Sequence, residues 1–498
     1  MRIRTAPHHR FRSGDESFVY ASTSASILKV DALVVRLLEA FDVEDGLEPG
    51  EGLERFRDAG DEAAETLDEM IQAGLVVPAD TPPLSVPEIP PMPYPLGTLV
   101  LNVTNKCNLS CTYCYEYGED RLSRDEASRP PTTPMMPAGK ARESIDFLLE
   151  NCGDRRSVTI TFFGGETLLN FETIRSATLY AEERCGERGV RVGFALTTNA
   201  TLLTDEVIDF IVAHRFGVNV SIDGPARDQD RHRTFKSGRG TYDVIAPRIR
   251  RLLERNRGLG RPIGARVTLT AGSLGVRDLY DHLVGDLGFD EVGFAPVTSA
   301  PGRDYALSPE HYSRILEEFS SLAEDYVAEA LAGRHHGFSN LNDLLRELHL
   351  GTNKAHPCGA GLGLLGVSTE GELGLCHRFV ESGAHSVGDV SGGIDEKKRR
   401  EFLQRGHVSQ KIACGSCFAR PVCSGGCYHE AYVRYEDPSQ PNLHSCEWIR
   451  AWTALGLSCY ARIMQGNPGF FERFENSPVR PPAPGGNALK PTSNESMP

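Results

Sequence analysis

The chain has 498 residues, 40% hydrophobic and 24% charged, enough to bury a large core and to divide into about three units. Its net charge of -15 argues against a nucleic-acid partner, which needs clustered Lys and Arg to displace counterions, and leaves a peptide or protein partner as the better fit. Thirteen cysteines, clustered in two short stretches, are too few for a disulfide-dense secreted scaffold and read as metal ligands in a reducing compartment.

In chain order, Phe18 to Tyr20 begins a strand, and Leu33, Val34, Leu37, Leu38 and Phe41 form an apolar helix face. Leu67, Met70, Ile71 and Leu75 form a second face, and Gly74 followed by Leu75, Val76 and Val77 reads as a helix end and a strand. Residues 1–80 are thus expected to form a small winged-helix unit. Its segment from Glu39 to Glu69 holds 13 acidic residues against Arg55 and Arg57, which would repel a phosphate backbone. The unit resembles the recognition domains of peptide-modifying enzymes, where a leader peptide adds a strand to a sheet edge. Eight prolines between Pro78 and Pro95 mark a stiff linker over 81–96. A local loop is expected at 129–137, and a disordered polar tail over 477–498.

Six strands are expected between 97 and 330: Leu99 to Val103, Val158 to Phe163, Arg191 to Thr197, Gly217 to Ile222, Gly264 to Thr270 and Glu291 to Ala295, with helical stretches between most of them. The first runs into Cys107-x3-Cys111-x2-Cys114. Three thiolates at that spacing can hold three irons of one cluster and leave the fourth open. The bland alternative, a zinc knuckle, wants four ligands at paired short spacings, and no fourth Cys or His lies near. The motif resembles the signature of the radical S-adenosylmethionine (AdoMet) superfamily, which implies an α/β fold with a partial (β/α)6 TIM barrel. The open iron there chelates AdoMet, whose reductive cleavage gives a radical that abstracts a substrate hydrogen.

Other strand ends resemble the superfamily's AdoMet contacts. Gly164, Gly165 and Glu166 match the glycine-rich turn, whose backbone and acid meet the AdoMet amino group. Thr198, Asn199, Ser221 and Asp223 match ribose and carboxylate contacts, Arg233 a carboxylate-binding arginine, and Tyr113 the aromatic on adenine. Over 331–476, the pattern Cys358-x12-Gly371-x4-Cys376, then Cys414-x2-Cys417-x5-Cys423-x3-Cys427 and Cys446, resembles the SPASM extension of peptide-modifying radical AdoMet enzymes. That resemblance implies two auxiliary clusters, hence three [4Fe-4S] clusters in all. Cys358, Cys376 and Cys427 would hold the first and Cys414, Cys417, Cys423 and Cys446 the second. The first set is one ligand short, so its cluster has either an open iron for a substrate thiolate or another ligand. Cys152, Cys185 and Cys459 match no motif and read as buried small apolar residues.

Sulfatase maturases carry an Asp after the second SPASM cysteine, where this chain has His377, a candidate base because its unperturbed pKa lies near neutrality; the alternative is that it packs against a cluster. This departure, with Cys358-Gly359-Ala360-Gly361 and Cys376-His377-x-Phe379, resembles maturases that form peptide thioether crosslinks. The string Cys111 to Asp120 and the stretch from Phe162 to Asn170 resemble the maturation enzymes of quinohemoprotein amine dehydrogenase. That family joins Cys sulfur to Asp or Glu methylene carbons in the dehydrogenase small subunit, which would be the partner, with a flavodoxin or ferredoxin as electron donor. Formylglycine formation is the competing enzymatic reading, and a zinc-bearing peptide-binding scaffold the non-enzymatic one. No secretion-signal pattern opens the sequence and no apolar run approaches the roughly 20 residues of a membrane helix, so a cytoplasmic location without membrane partner is expected.

Overall fold

The computed structural model describes residues 1–81, 88–90, 92–114, 134–300 and 302–475. Residues 82–87 and 91 of the expected linker, 129–133 of the expected loop, the string from Tyr115 to Asp120 and the tail from 477 lie outside the described residues.

In the N-terminal segment, β1 (Ile3–Thr5) pairs antiparallel with β5 (Val76–Pro78), and β2 (His8–Ser13), β3 (Glu16–Ala21) and β4 (Ser26–Val30) form an antiparallel meander. The side chain of Asp31 caps α1 (Ala32–Ala40) by accepting from the Val34 N–H at 2.9 Å. Leu37 and Leu38 of α1 pack with Leu67 and Met70 of α2 (Gly60–Gln72) in one apolar cluster. Ile71, expected on that face, is 37% exposed, because the helix turns it past the buried stripe. Tyr20 projects the other way, into a cluster with Leu344, Leu348 and Leu457.

The six expected strands form as β6 (Thr98–Thr104), β7 (Ser157–Gly164), β8 (Arg191–Thr198), β9 (Gly217–Ser221), β10 (Ile263–Leu269) and β11 (Glu291–Pro296). They lie side by side in chain order, all parallel. Helices α3 (Ala138–Asn151), α4 (Phe171–Glu187), α5 (Asp205–Ala213) and α6 (Tyr242–Asn256) alternate with the strands. Because β11 does not pair with β6, the barrel is partial. Alternation along each strand sorts the side chains. Leu101, Ile160, Leu196, Val218 and Val267 are buried in the main core, whereas the intervening Thr161, Thr197, Asn219, Arg266 and Thr268 face the concave side and are not buried.

The sheet does not stop at the barrel. After α7 (Pro309–Leu331) and α8 (Ser339–His349), β12 (Leu364–Val367) pairs parallel with β6, and β13 (Glu372–Gly374), β14 (Ser386–Asp389) and β15 (Gly393–Ile394) extend the sheet antiparallel to ten strands. At the opposite end, the Asn340 side chain of α8 accepts from the Phe294 N–H at 2.8 Å and donates to the Phe294 carbonyl at 2.9 Å, standing in for the missing next strand. Among the described residues no helix is long and apolar enough to cross a membrane.

Arg399, in α9 (Glu396–Gly406), ties the end of the proline-rich stretch to the later sheet. Fully buried, it donates to the carbonyls of Gly361 (2.7 Å), Leu362 (2.6 Å) and Tyr94 (3.1 Å), and its guanidinium stacks 4.9 Å from the Tyr94 ring. Arg399→Ala leaves three buried carbonyls unpaired, at about 1–3 kcal/mol each before relaxation. A drop in denaturation midpoint of several degrees is expected in a thermal melt, and an unchanged melt would show that water replaces the guanidinium.

Candidate active site

The cysteine loop leaves β6 where β7 ends, and the two strand ends interlock. Gly164 has φ +131°, and a Cβ there would stand 2.3 Å from the Thr104 carbonyl oxygen, so only glycine lets the backbones meet. The Gly165 N–H then donates to the Thr104 carbonyl at 2.9 Å and the Glu166 N–H to the Lys106 carbonyl at 2.8 Å, anchoring the residue before Cys107. The far side of the loop is held by the segment after β9, with the Ser110 N–H on the Thr234 carbonyl (2.8 Å) and Thr112 Oγ1 bonded to His232 Nδ1 (2.6 Å).

The residues expected to contact AdoMet converge on this corner, and two of them have internal partners as well. The Glu166 acid, expected to meet the ligand, turns inward: Oε1 accepts from Thr198 Oγ1 (2.7 Å) and the Leu168 N–H (3.1 Å), and Oε2 from the Asn199 N–H (2.8 Å). The acid of the turn therefore braces the end of β8. Arg233 is likewise engaged, its Nε 3.1 Å from Asp223 Oδ2 and its guanidinium 5.3 Å from the Tyr113 ring, whose hydroxyl also donates to Asp223. Asp223 Oδ1 takes the Thr268 N–H at 3.1 Å, so Tyr113, Asp223 and Arg233 form one network across the ends of β9 and β10. The Asn199 side chain reaches back to Asn108 Oδ1 (3.0 Å) and lies 3.9 Å from the Cys107 sulfur, and Ser221 ends β9 on the concave side, half-buried.

The ten motif cysteines fall into three groups. Cys107, Cys111 and Cys114 lie within electrostatic range of one another, Cys376 within range of Cys358 and Cys427, and Cys414 within range of Cys417, Cys423 and Cys446. All thirteen cysteines are free thiols, and Cys152, Cys185 and Cys459 are buried in the main core. No group of three or more His, Cys, Asp or Glu among the described residues is gathered to hold a single metal ion. Burial raises the thiol of Cys111 to about 12, of Cys376 to about 12 and of Cys414 to about 11, so ligation must release protons. Gly371 has φ +100°, and a Cβ there would press to 2.9 Å on Val390, which fixes a glycine in the turn before Cys376. The buried ammonium of Lys411 stands between the second and third groups, within range of Cys358, Cys414 and Cys423, and donates to the Ser424 carbonyl at 3.0 Å. The donor set fits iron–sulfur clusters: grouped free thiols, an amide N–H near one sulfur and a cation beside two of the groups.

His377 carries the Cys376 group to the barrel. Its ring packs 4.5 Å from that of Phe163, directly before the glycine turn. Burial, with Arg378 adding to it, pulls its pKa down to about 3, so the imidazole is neutral at pH 7 and a weak proton acceptor. Sequence reasoning missed three neighbours. Glu381, at φ +60°, accepts from Asn105 Nδ2 at 2.6 Å and joins the cysteine loop to the later turn. Arg378 donates to Thr298 Oγ1 at 3.3 Å, and Arg266 lines the concave face. The signal that could have found Arg266 is a lone charge in an otherwise apolar and small-residue strand.

Residues 101–266 match the family model of the Radical SAM superfamily. The serine-type anaerobic sulfatase-maturating enzyme of Klebsiella aerogenes is 23% identical over 74% of this chain and 93% of its own length. The cysteine-type enzyme of Clostridium novyi is 23% identical over 73% of this chain and 96% of its own. Among solved structures, native anSMEcpe with bound AdoMet superposes with a TM-score of 0.60 at 19% identity, covering 77% of this chain and 100% of that one. The chain is an AdoMet-dependent enzyme with a radical SAM α/β core, for which the family implies a [4Fe-4S] cluster and AdoMet. Gly164→Ala tests the corner: it adds a steric clash and roughly 1–3 kcal/mol of backbone strain. Reconstituted variant is expected to lose iron and AdoMet binding together, and full iron loading would refute the interlock.

Proposed function

We propose that this enzyme modifies a ribosomally made peptide or protein by joining a Cys sulfur to a side-chain carbon, with Cys-to-Asp/Glu thioether crosslinks in the small subunit of quinohemoprotein amine dehydrogenase as the specific reaction. The observation that supports it best is the abutment of His377, next to Cys376, on Phe163, next to the glycine turn. A second thiol group therefore borders the corner where AdoMet would bind.

Cys107, Cys111 and Cys114 would hold the AdoMet cluster, with the backbone of Gly164 and Gly165, the Tyr113–Asp223–Arg233 network, Thr198, Asn199 and Ser221 around the AdoMet. Cys358, Cys376 and Cys427 would hold one auxiliary cluster and Cys414, Cys417, Cys423 and Cys446 the other. Reduced by a flavodoxin- or ferredoxin-type donor, these groups supply reductive cleavage of AdoMet, hydrogen abstraction from the substrate carbon, and uptake of the electron released when the thiolate bonds to that carbon. The chain's own residues do the rest. The three-thiol set leaves a ligand position for a substrate sulfur, Phe163 and His377 wall the space beside it, and the open edge of β4 can receive a peptide strand.

A formylglycine-forming reaction is the second reading, favoured by the similarity to sulfatase-maturating enzymes over nearly their whole lengths. Anaerobic reconstitution followed by product analysis separates the two. The thioether reading expects about twelve irons per chain and a peptide that has lost a pair of hydrogens and the alkylation of its cysteine. A hydrazide-reactive aldehyde would establish formylglycine instead. For His377, a wall residue predicts that His377→Gln keeps its iron and retains turnover to within about tenfold, whereas a general base would cost about 10²–10⁴-fold.

A further inference from the structure

Beside Thr161, Thr197, Asn219 and Thr268 on the concave side of the barrel strands, Arg266 brings a cation. On β10, Ile263, Ala265, Val267 and Leu269 are buried beneath the helices, and Arg266 projects from between them into the open space. Its register partners are Ser221 on β9 and Gly293 on β11. A Cβ on Gly293 would come within 3.0 Å of Arg266 Nη1, so the glycine leaves room for the guanidinium to lie along the sheet.

Arg266 is enclosed by neighbouring side chains yet accessible to solvent, as expected of a group in a concavity. The guanidinium makes no hydrogen bond or ion pair with any described residue. Asp343 of α8 acts on it electrostatically but forms no ion pair with it, and Glu291, one inward-facing position below Gly293, is influenced by His335, Asp343 and Asp290 rather than by Arg266. Arg378, in the turn after Cys376, also acts on Arg266 electrostatically. A guanidinium fork pairs with a carboxylate through two parallel hydrogen bonds.

We propose that Arg266 is the subsite for the side-chain carboxylate of an acidic residue in the peptide substrate. The inference rests on the peptide-modifying reading above and deepens it. Clamping the carboxylate at the level of Ser221 places the adjoining methylene carbon towards the strand ends where AdoMet would lie, and gives Arg266 a specificity-determining role. AdoMet carries a carboxylate of its own, which is the competing anion.

The test uses full-length reconstituted enzyme with AdoMet, the dehydrogenase small-subunit polypeptide, and the same polypeptide with its acceptor Asp and Glu changed to Asn and Gln. Binding is read by fluorescence anisotropy, and AdoMet affinity separately by equilibrium dialysis. Arg266→Met is expected to weaken binding of the acidic polypeptide about tenfold or more, equivalent to about 1.4 kcal/mol, with AdoMet affinity unchanged. The amidated polypeptide should bind unmodified enzyme as weakly as the acidic one binds the variant, and should lose nothing further with it. Unmodified enzyme handling the amidated and acidic polypeptides alike overturns the proposal without needing a folded variant. Loss of AdoMet affinity by the same factor overturns it in favour of the AdoMet carboxylate. Crosslinking by unmodified enzyme together with undiminished binding by Arg266→Met rejects the subsite alone. Neither binding nor crosslinking by unmodified enzyme rejects the functional reading along with it.

Discussion

The carboxylate of Glu166 is 1% exposed and sits where β7 and β8 end side by side. Parallel strands that stop together leave their last backbone groups without ladder partners, and a buried carboxylate is itself costly unless its oxygens are filled. Here the two problems offset each other, because the donors that satisfy Glu166 come from the turn itself and from the end of β8. Much else follows from that placement. With its backbone pinned, Asn199 directs its amide to Asn108 and the Cys107 sulfur. With the acid turned inward, the glycines before it face outward against the cysteine loop. The shape of this corner thus depends on an internal brace.

Much of this architecture was legible in the sequence. The six barrel strands are short apolar runs bounded by turn residues, and every one formed within a residue or two of its expected limits. The grouping of thiols came from the resemblance and not from spacing, since Cys427 follows Cys423 closely yet lies within electrostatic range of Cys376. What spacing does not encode is orientation. Glu166 and Arg233 sit at their expected places, and each also has an internal partner that the sequence does not announce. Arg266 escaped notice because a lone charge in a strand normally signals the solvent side, and here the solvent side is the inside of the barrel.

Long-range pairing was the other illegible feature. Leu364 to Val367 is only four residues, too short for a periodic signal, and its partner Thr98 to Leu101 lies far away in the chain. The N-terminal segment shows the same limit. Its own apolar cluster was readable from helix faces, but nothing local announced that Tyr20 would leave it to pack with Leu344, Leu348 and Leu457, or that Arg420 would donate to the Ser22 carbonyl at 2.6 Å. These contacts join residues near the chain start to the cysteine-rich region, so a peptide held on the first sheet would be borne on the same body as the auxiliary thiols.

The direct hydrogen-bonding of β12 to β6 has an implication for how such chains can be recombined. The strand that leads into Cys107 is shared property: one edge belongs to the barrel, the other to the cysteine-rich extension. Severing the two between α8 and β12 would bare an apolar parallel edge on each fragment, a template for misassociation. Shuffling this extension onto another barrel, in the laboratory or over generations, therefore demands a matched strand edge and not merely a compatible linker.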